Sequence, residues 1–92
     1  MAMAVVTMKI MPESPDVDLA AIETAAKSAI VSFAGEGEVR VETVPIAFGL
    51  KSLNITFVMD EAKGSPDALE EPVLAIPGVQ SFEVVDVRRA VG

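Results

Sequence analysis

The chain has 92 residues, 51% of them apolar, which suits one globular domain (residues 1–92) with a single core and argues against disorder. Cysteine and histidine are both absent, so disulfides, thiolate metal sites, and the commonest general base and nitrogen ligand are excluded. The formal charge of −7, spread over both halves, repels a phosphate backbone and excludes nucleic acid as a favoured partner.

The N-terminal stretch from Met1 to Lys9 has neither a basic leader nor a long apolar run, and no segment approaches a membrane span. The expectation is a soluble, cytoplasmic protein with no membrane partner. Ala4 to Met11 alternates, with Val6, Met8 and Ile10 on one face, and reads as a first strand closed by Pro12 and Pro15. Asp18 then has the character of a helix N-cap, with Val17 before it and Ile22 four positions on, the spacing of a hydrophobic staple. Leu19, Ile22, Ala26, Ile30 and Phe33 recur at intervals of three and four, which predicts a helix burying one stripe and ending near Gly35 and Gly37.

Glu38 to Thr43 alternates apolar with charged residues, the pattern of a strand with one covered face or of an edge strand protected by charge. Between it and the next strand lies Pro45-Ile46-Ala47-Phe48-Gly49-Leu50-Lys51. Phe33, Phe57 and Phe82 all fall inside helix or strand patterns; Phe48 alone does not. A proline that fixes φ and a glycine that permits φ > 0 flank it and point to a turn or bulge. A large ring presented from such a turn is either a plug for one end of the core or an anchor for a partner, and the pattern leaves both open.

Leu53, Ile55, Phe57 and Met59 mark a third strand, and Asp60 to Gly64 a loop. Ser65-Pro66-Asp67 starts a second helix, serine as N-cap and proline in the first turn. Pro72 falls inside it, where a lost hydrogen bond and a ring clash should kink or shorten it at a cost of about 3 kcal/mol. Pro77-Gly78 ends that helix, and Val79 to Arg89 forms the last strand. Its apolar phase shifts from Phe82 and Val84 to Val85 and Val87, which implies a bulge or burial on both faces, as in a central strand. The order β-α-β-β-α-β predicts an α+β, ferredoxin-like plait: a four-stranded antiparallel sheet with two helices on one face.

That fold hosts many functions, so function rests on particular residues. The glycines make no phosphate-binding fingerprint. Glu36, Glu38, Glu42, Asp60 and Glu61 lack the spacing of a calcium loop and read as a solvated acidic surface, so no metal site and no cofactor is expected. The first strand has no aromatic residue of the kind an RNA-reading version of the plait needs. Arg88 and Arg89, adjacent near the end of an acidic chain, serve either solubility or as a cationic finger for an anionic or metal-binding site.

Three segments carry a family resemblance. Pro45-Ile46-Ala47-Phe48-Gly49-Leu50-Lys51-Ser52-Leu53 resembles the P-[IV]-[AG]-[FY]-G-[IL]-K-x-L stretch of translation elongation factor 1-beta, the guanine-nucleotide exchange factor of archaea and eukaryotes. Met11 to Leu19 is similar to the opening of the short archaeal form, and Val79 to Val87 to the family's last strand. The resemblance implies a ferredoxin-like domain, without bond-making chemistry, that binds elongation factor 1-alpha and speeds release of its GDP. It places Phe48, with Pro45, Ala47, Gly49 and Lys51, at the partner-binding turn. It lays Arg89, with Arg88 beside it, where eukaryotic members have a lysine reaching toward the GTPase's magnesium and phosphate region. Arginine there is larger and planar, and three residues follow it instead of one. Two rival readings are a small-molecule-binding regulatory module, distinguished by ligand-dependent stabilisation, and a single-stranded nucleic-acid binder, distinguished by salt-dependent binding.

Overall fold

The computed structural model describes residues 3–35 and 37–90; Met1, Ala2 and Glu36 of the stretches considered above lie outside the described residues. The elements are β1 (Met3–Pro12), α1 (Leu19–Ala34), β2 (Val39–Pro45), β3 (Lys51–Asp60), α2 (Glu70–Leu74) and β4 (Val79–Ala90). The strands form one antiparallel sheet in the order β2-β3-β1-β4, the ferredoxin-like plait expected from the element order.

Alternation in β1 and β3 decides which face is covered. Val6, Met8 and Ile10 lie opposite Val87, Val84 and Phe82 on one side and Phe57, Ile55 and Leu53 on the other. These β1 and β3 residues are buried together with Ile22, Ala26 and Ile30 of α1 and with Leu69 and Val73. One apolar layer between sheet and helices therefore forms the core of the described residues. The other face carries Thr7, whose hydroxyl meets that of Thr56 across the strands at 3.2 Å.

Helix α1 begins where the sequence signals it. The Asp18 carboxylate accepts hydrogen bonds from the Ala20 and Ala21 N–H groups at 3.0 and 3.4 Å, satisfying two of the helix's orphan donors. Gly35 ends it at φ 83°, its N–H donating to the Val31 carbonyl. Pro72 also finds a physical account. The second helical segment is divided into a 3-10 turn, Pro66–Leu69, and a five-residue α2 in which Pro72 is third. In that first turn its missing N–H is one the helix would leave unpaired, so the segment is shortened rather than broken.

The phase shift in β4 resolves as a bulge. Thr7 pairs with Asp86 and Met8 with Val84, so Val85 is the extra residue, and it is exposed. Burial on both faces does not occur: β4 is an edge strand, and Val87, although opposite buried Val6, lies half exposed at the sheet's border.

Candidate partner-binding site

The turn between β2 and β3 is closed by two backbone hydrogen bonds. The Ile46 N–H donates to the Leu50 carbonyl at 2.7 Å, and the Leu50 N–H to the Ala47 carbonyl at 3.2 Å. Both central residues of the inner turn have positive φ, Phe48 at 61° and Gly49 at 75°. This is the signature of a type I′ hairpin turn, whose twist matches the flanking strands and whose first central position favours Asn, Asp or Gly. Phe48 is the one non-glycine among the described residues with positive φ. Its side chain opposes that conformation by roughly 1–2 kcal/mol.

Packing does not offset this cost, because Phe48 is 93% exposed. The plug reading therefore fails, and the ring is presented to solvent. Val44 and Ile46, which precede it in the hairpin, are also exposed, though far less than Phe48. Sequence alternation missed the first two, since an apolar residue in or beside a strand is ordinarily assigned to the core. Pro45 ends β2 opposite Lys51, the first residue of β3, and Ala47 supplies the carbonyl that closes the turn. Pro45, Ala47 and Lys51 are all exposed.

The β1–α1 connection buttresses this hairpin. A Cβ placed on Gly49 would lie 3.9 Å from the Pro15 Cβ. An open groove of about 440 Å³, lined in part by Pro12, Pro15, Val17, Leu19, Gly49 and Lys51, runs between the two loops. Below it the Glu13 N–H donates to the Gly78 carbonyl at 2.8 Å. The structure thus brings the segments 11–19 and 45–53 to one end of the molecule.

Arg88 and Arg89 are at the other end. Arg89 pairs with Ala4 near the start of β1, whereas Leu53 pairs with Ile10 near its finish. At about 3.3 Å per residue, the eight steps from Ala4 to Pro12 separate the two ends by about 25 Å. The adjacent arginines also point to opposite faces. Arg89, opposite buried Ala4, is on the helix side, and Arg88, opposite Val5, is on the open side. Each has its own carboxylate. The Arg88 Nε donates to Asp86 Oδ2 at 2.8 Å, while Arg89 places Nε and one Nη on the two carboxylate oxygens of Glu61 at 3.2 and 3.3 Å. Local pattern gave no sign of the second pair, whose members are 28 residues apart.

Among the described residues no three acidic side chains converge on a metal-sized space, and no helix is long and apolar enough to cross a membrane. What the surface offers is an exposed aromatic ring at one end and a partnered cation at the other.

The chain matches the EF-1 guanine nucleotide exchange domain over residues 5–90. It is 45% identical to elongation factor 1-beta of Methanothermobacter thermautotrophicus over 85 residues, covering 92% of this chain and 93% of the relative. It is 44% identical to that of Methanosphaera stadtmanae over 82 residues, 89% and 90% of the two chains. With Methanobrevibacter smithii the identity is 42% over 90 residues, 97% and 98% of the two. The family match runs through the exposed Phe48 hairpin and the Arg89 strand end alike, and the chain belongs to the EF-1 guanine nucleotide exchange family, with guanine-nucleotide exchange as its function.

Proposed function

We propose that the GTPase served is elongation factor 1-alpha, in the cytoplasm, and that Phe48 and Arg89 are the two contacts through which GDP is released. The observation that carries this is the exposed Phe48 ring on left-handed backbone. An apolar side chain held in an unfavourable conformation without internal packing is a binding device, since strain of this kind persists where function requires it. Pro45, Ala47 and Gly49 frame the turn, and Lys51 lies at the rim of the adjoining groove.

No bond is made or broken in this mechanism. The factor acts by linkage: tighter binding to nucleotide-free GTPase than to the GDP form weakens GDP by the same factor. A preference of about 4 kcal/mol corresponds to a roughly thousandfold weakening. Phe48 supplies affinity by docking in an apolar recess and wedging the elements around it. Arg89, at the far end, perturbs the GTPase's magnesium or phosphate region, so phosphate charge is less well compensated and GDP leaves. Arg88, on the opposite face, contributes only to the local field. The separation of about 25 Å requires the domain to lie lengthwise on its partner.

The test is release of a fluorescent GDP analogue from elongation factor 1-alpha with and without this protein. Strong acceleration, diminished in Phe48→Ala and Arg89→Ala, is expected. Intact binding with no acceleration would overturn the assignment.

A further inference from the structure

Arg89 sits near the end of an edge strand, with a long side chain and no strand beyond it. Its guanidinium nonetheless has a partner: Nε and one Nη donate to the two carboxylate oxygens of Glu61. Strand β1 lies between β3 and β4, and Glu61 directly follows β3, so the Glu61–Arg89 pair reaches across the start of β1, where Met3 faces Asp60 and Ala4 faces Arg89. Glu61 itself stands on a fixed turn. The Asp60 carboxylate accepts from the Ala62 N–H at 2.9 Å, and the Gly64 N–H donates to the Glu61 carbonyl at 3.2 Å. The side chains are 38% exposed for Glu61 and 74% for Arg89, so the carboxylate is the seated partner and the guanidinium the presented one.

We propose that Glu61 is a positioning residue for Arg89, fixing the guanidinium in the orientation in which it meets the anionic or metal-binding region of the GTPase. This rests on the exchange role proposed for Arg89. A planar guanidinium forked on a carboxylate has its outer torsions set in advance, so less ordering remains to be done on binding. An ion pair this exposed is weak and screened by salt. With Nε and one Nη on Glu61, the outer edge of the guanidinium is turned toward an incoming phosphate, and the pair stays in place as the anion is met. Arg88 has no equivalent, since its partner Asp86 is two residues away on the same strand.

The experiment compares wild type, Glu61→Ala, Glu61→Gln, Arg89→Ala and the Glu61→Ala/Arg89→Ala double variant in the GDP-analogue release assay, at low and high salt. Glu61→Ala is expected to lower the exchange rate constant by about three- to tenfold, corresponding to the ordering of one long side chain. Glu61→Gln, which keeps an acceptor but no charge, should fall between it and wild type. The double variant should be no slower than Arg89→Ala, because the effect of Glu61 passes through Arg89. The difference between wild type and Glu61→Ala should shrink at high salt, which a loss of fold stability would not produce. Unchanged or faster exchange in Glu61→Ala, or additive losses in the double variant, would overturn the inference. If wild type fails to accelerate release, the exchange role falls and the positioning role with it. If wild type accelerates and Arg89→Ala is slow while Glu61→Ala is normal, only the positioning role falls.

Discussion

Replacing Phe48 should separate binding from folding, because the ring packs against little of its own domain. The ring is 93% exposed, so docking it in an apolar recess removes on the order of 150 Å² of apolar surface from water. At about 25 cal/mol per Å², this contributes about 4 kcal/mol, of which alanine would retain roughly a quarter. Phe48→Ala should therefore weaken binding to elongation factor 1-alpha by about 3 kcal/mol, on the order of a hundredfold. Folding should scarcely notice. Alanine also has a Cβ and faces the same left-handed backbone, and there is no ring packing to lose, so the change in unfolding free energy should stay within about 0.5 kcal/mol. Phe48→Gly sharpens the contrast. It relieves a conformational cost of about 1 kcal/mol or more. Greater freedom of the unfolded chain offsets part of that gain. The melting temperature should rise by about 2–4 °C while binding is lost as in the alanine variant. Titration of factor into GDP-analogue release gives the affinity, and thermal denaturation gives the stability. Affinity within twofold of wild type for Phe48→Ala, or a clear loss of stability in Phe48→Gly, would refute the reasoning.

Three further substitutions test the framework behind the site. Gly78 has φ 92°, and a Cβ there would lie 2.7 Å from Val17 Cγ1, so Gly78→Ala should cost about 2 kcal/mol or more in urea unfolding; a shift under 0.5 kcal/mol would contradict it. Asp18→Ala removes the cap of α1 and should cost about 1 kcal/mol by the same measurement. Pro72→Ala should change stability by less than about 1 kcal/mol, because the proline lies in the first turn of α2. A gain near 3 kcal/mol would instead show that it interrupts a helix.

The plait was legible because its local signals agree with one another. Apolar alternation named Val6, Met8 and Ile10 and their β3 neighbours as core, and all are buried; of the helical stripe Leu19, Ile22, Ala26, Ile30 and Phe33, the middle three are buried and Leu19 and Phe33 pack partly buried at its ends. The shift at Val85 announced a bulge, but a single strand's pattern cannot distinguish a bulge at an edge from burial in the middle of a sheet. The site was legible only in part, for a related reason. Phe48 stood out because no periodicity claimed it, whereas Val44 and Ile46 were hidden by looking like ordinary strand and turn residues. Glu61 was hidden by distance: its partner is 28 residues away and meets it only after β1 has been inserted between their strands.

The separation of the two candidate contacts follows from strand length. Ten residues in β1 and β3 and twelve in β4 are long against the usual five or six. One β1–β3 hydrogen-bonded ladder runs from Met3 opposite Asp60 to Ile10 opposite Leu53, so the hairpin bearing Phe48 and the strand end bearing Arg89 are joined by one continuous sheet. A GTPase touched at both places meets a ruler, not a hinge. Under the proposed docking, the two contacts must fit the GTPase at one spacing set by the length of the sheet. If Arg89 meets the nucleotide's charge as proposed, affinity from the apolar end offsets the cost of engaging that charge at the cationic end. A sheet of ordinary strands, about 17–20 Å long, would hold Phe48 and Arg89 closer together and could not span the same two points.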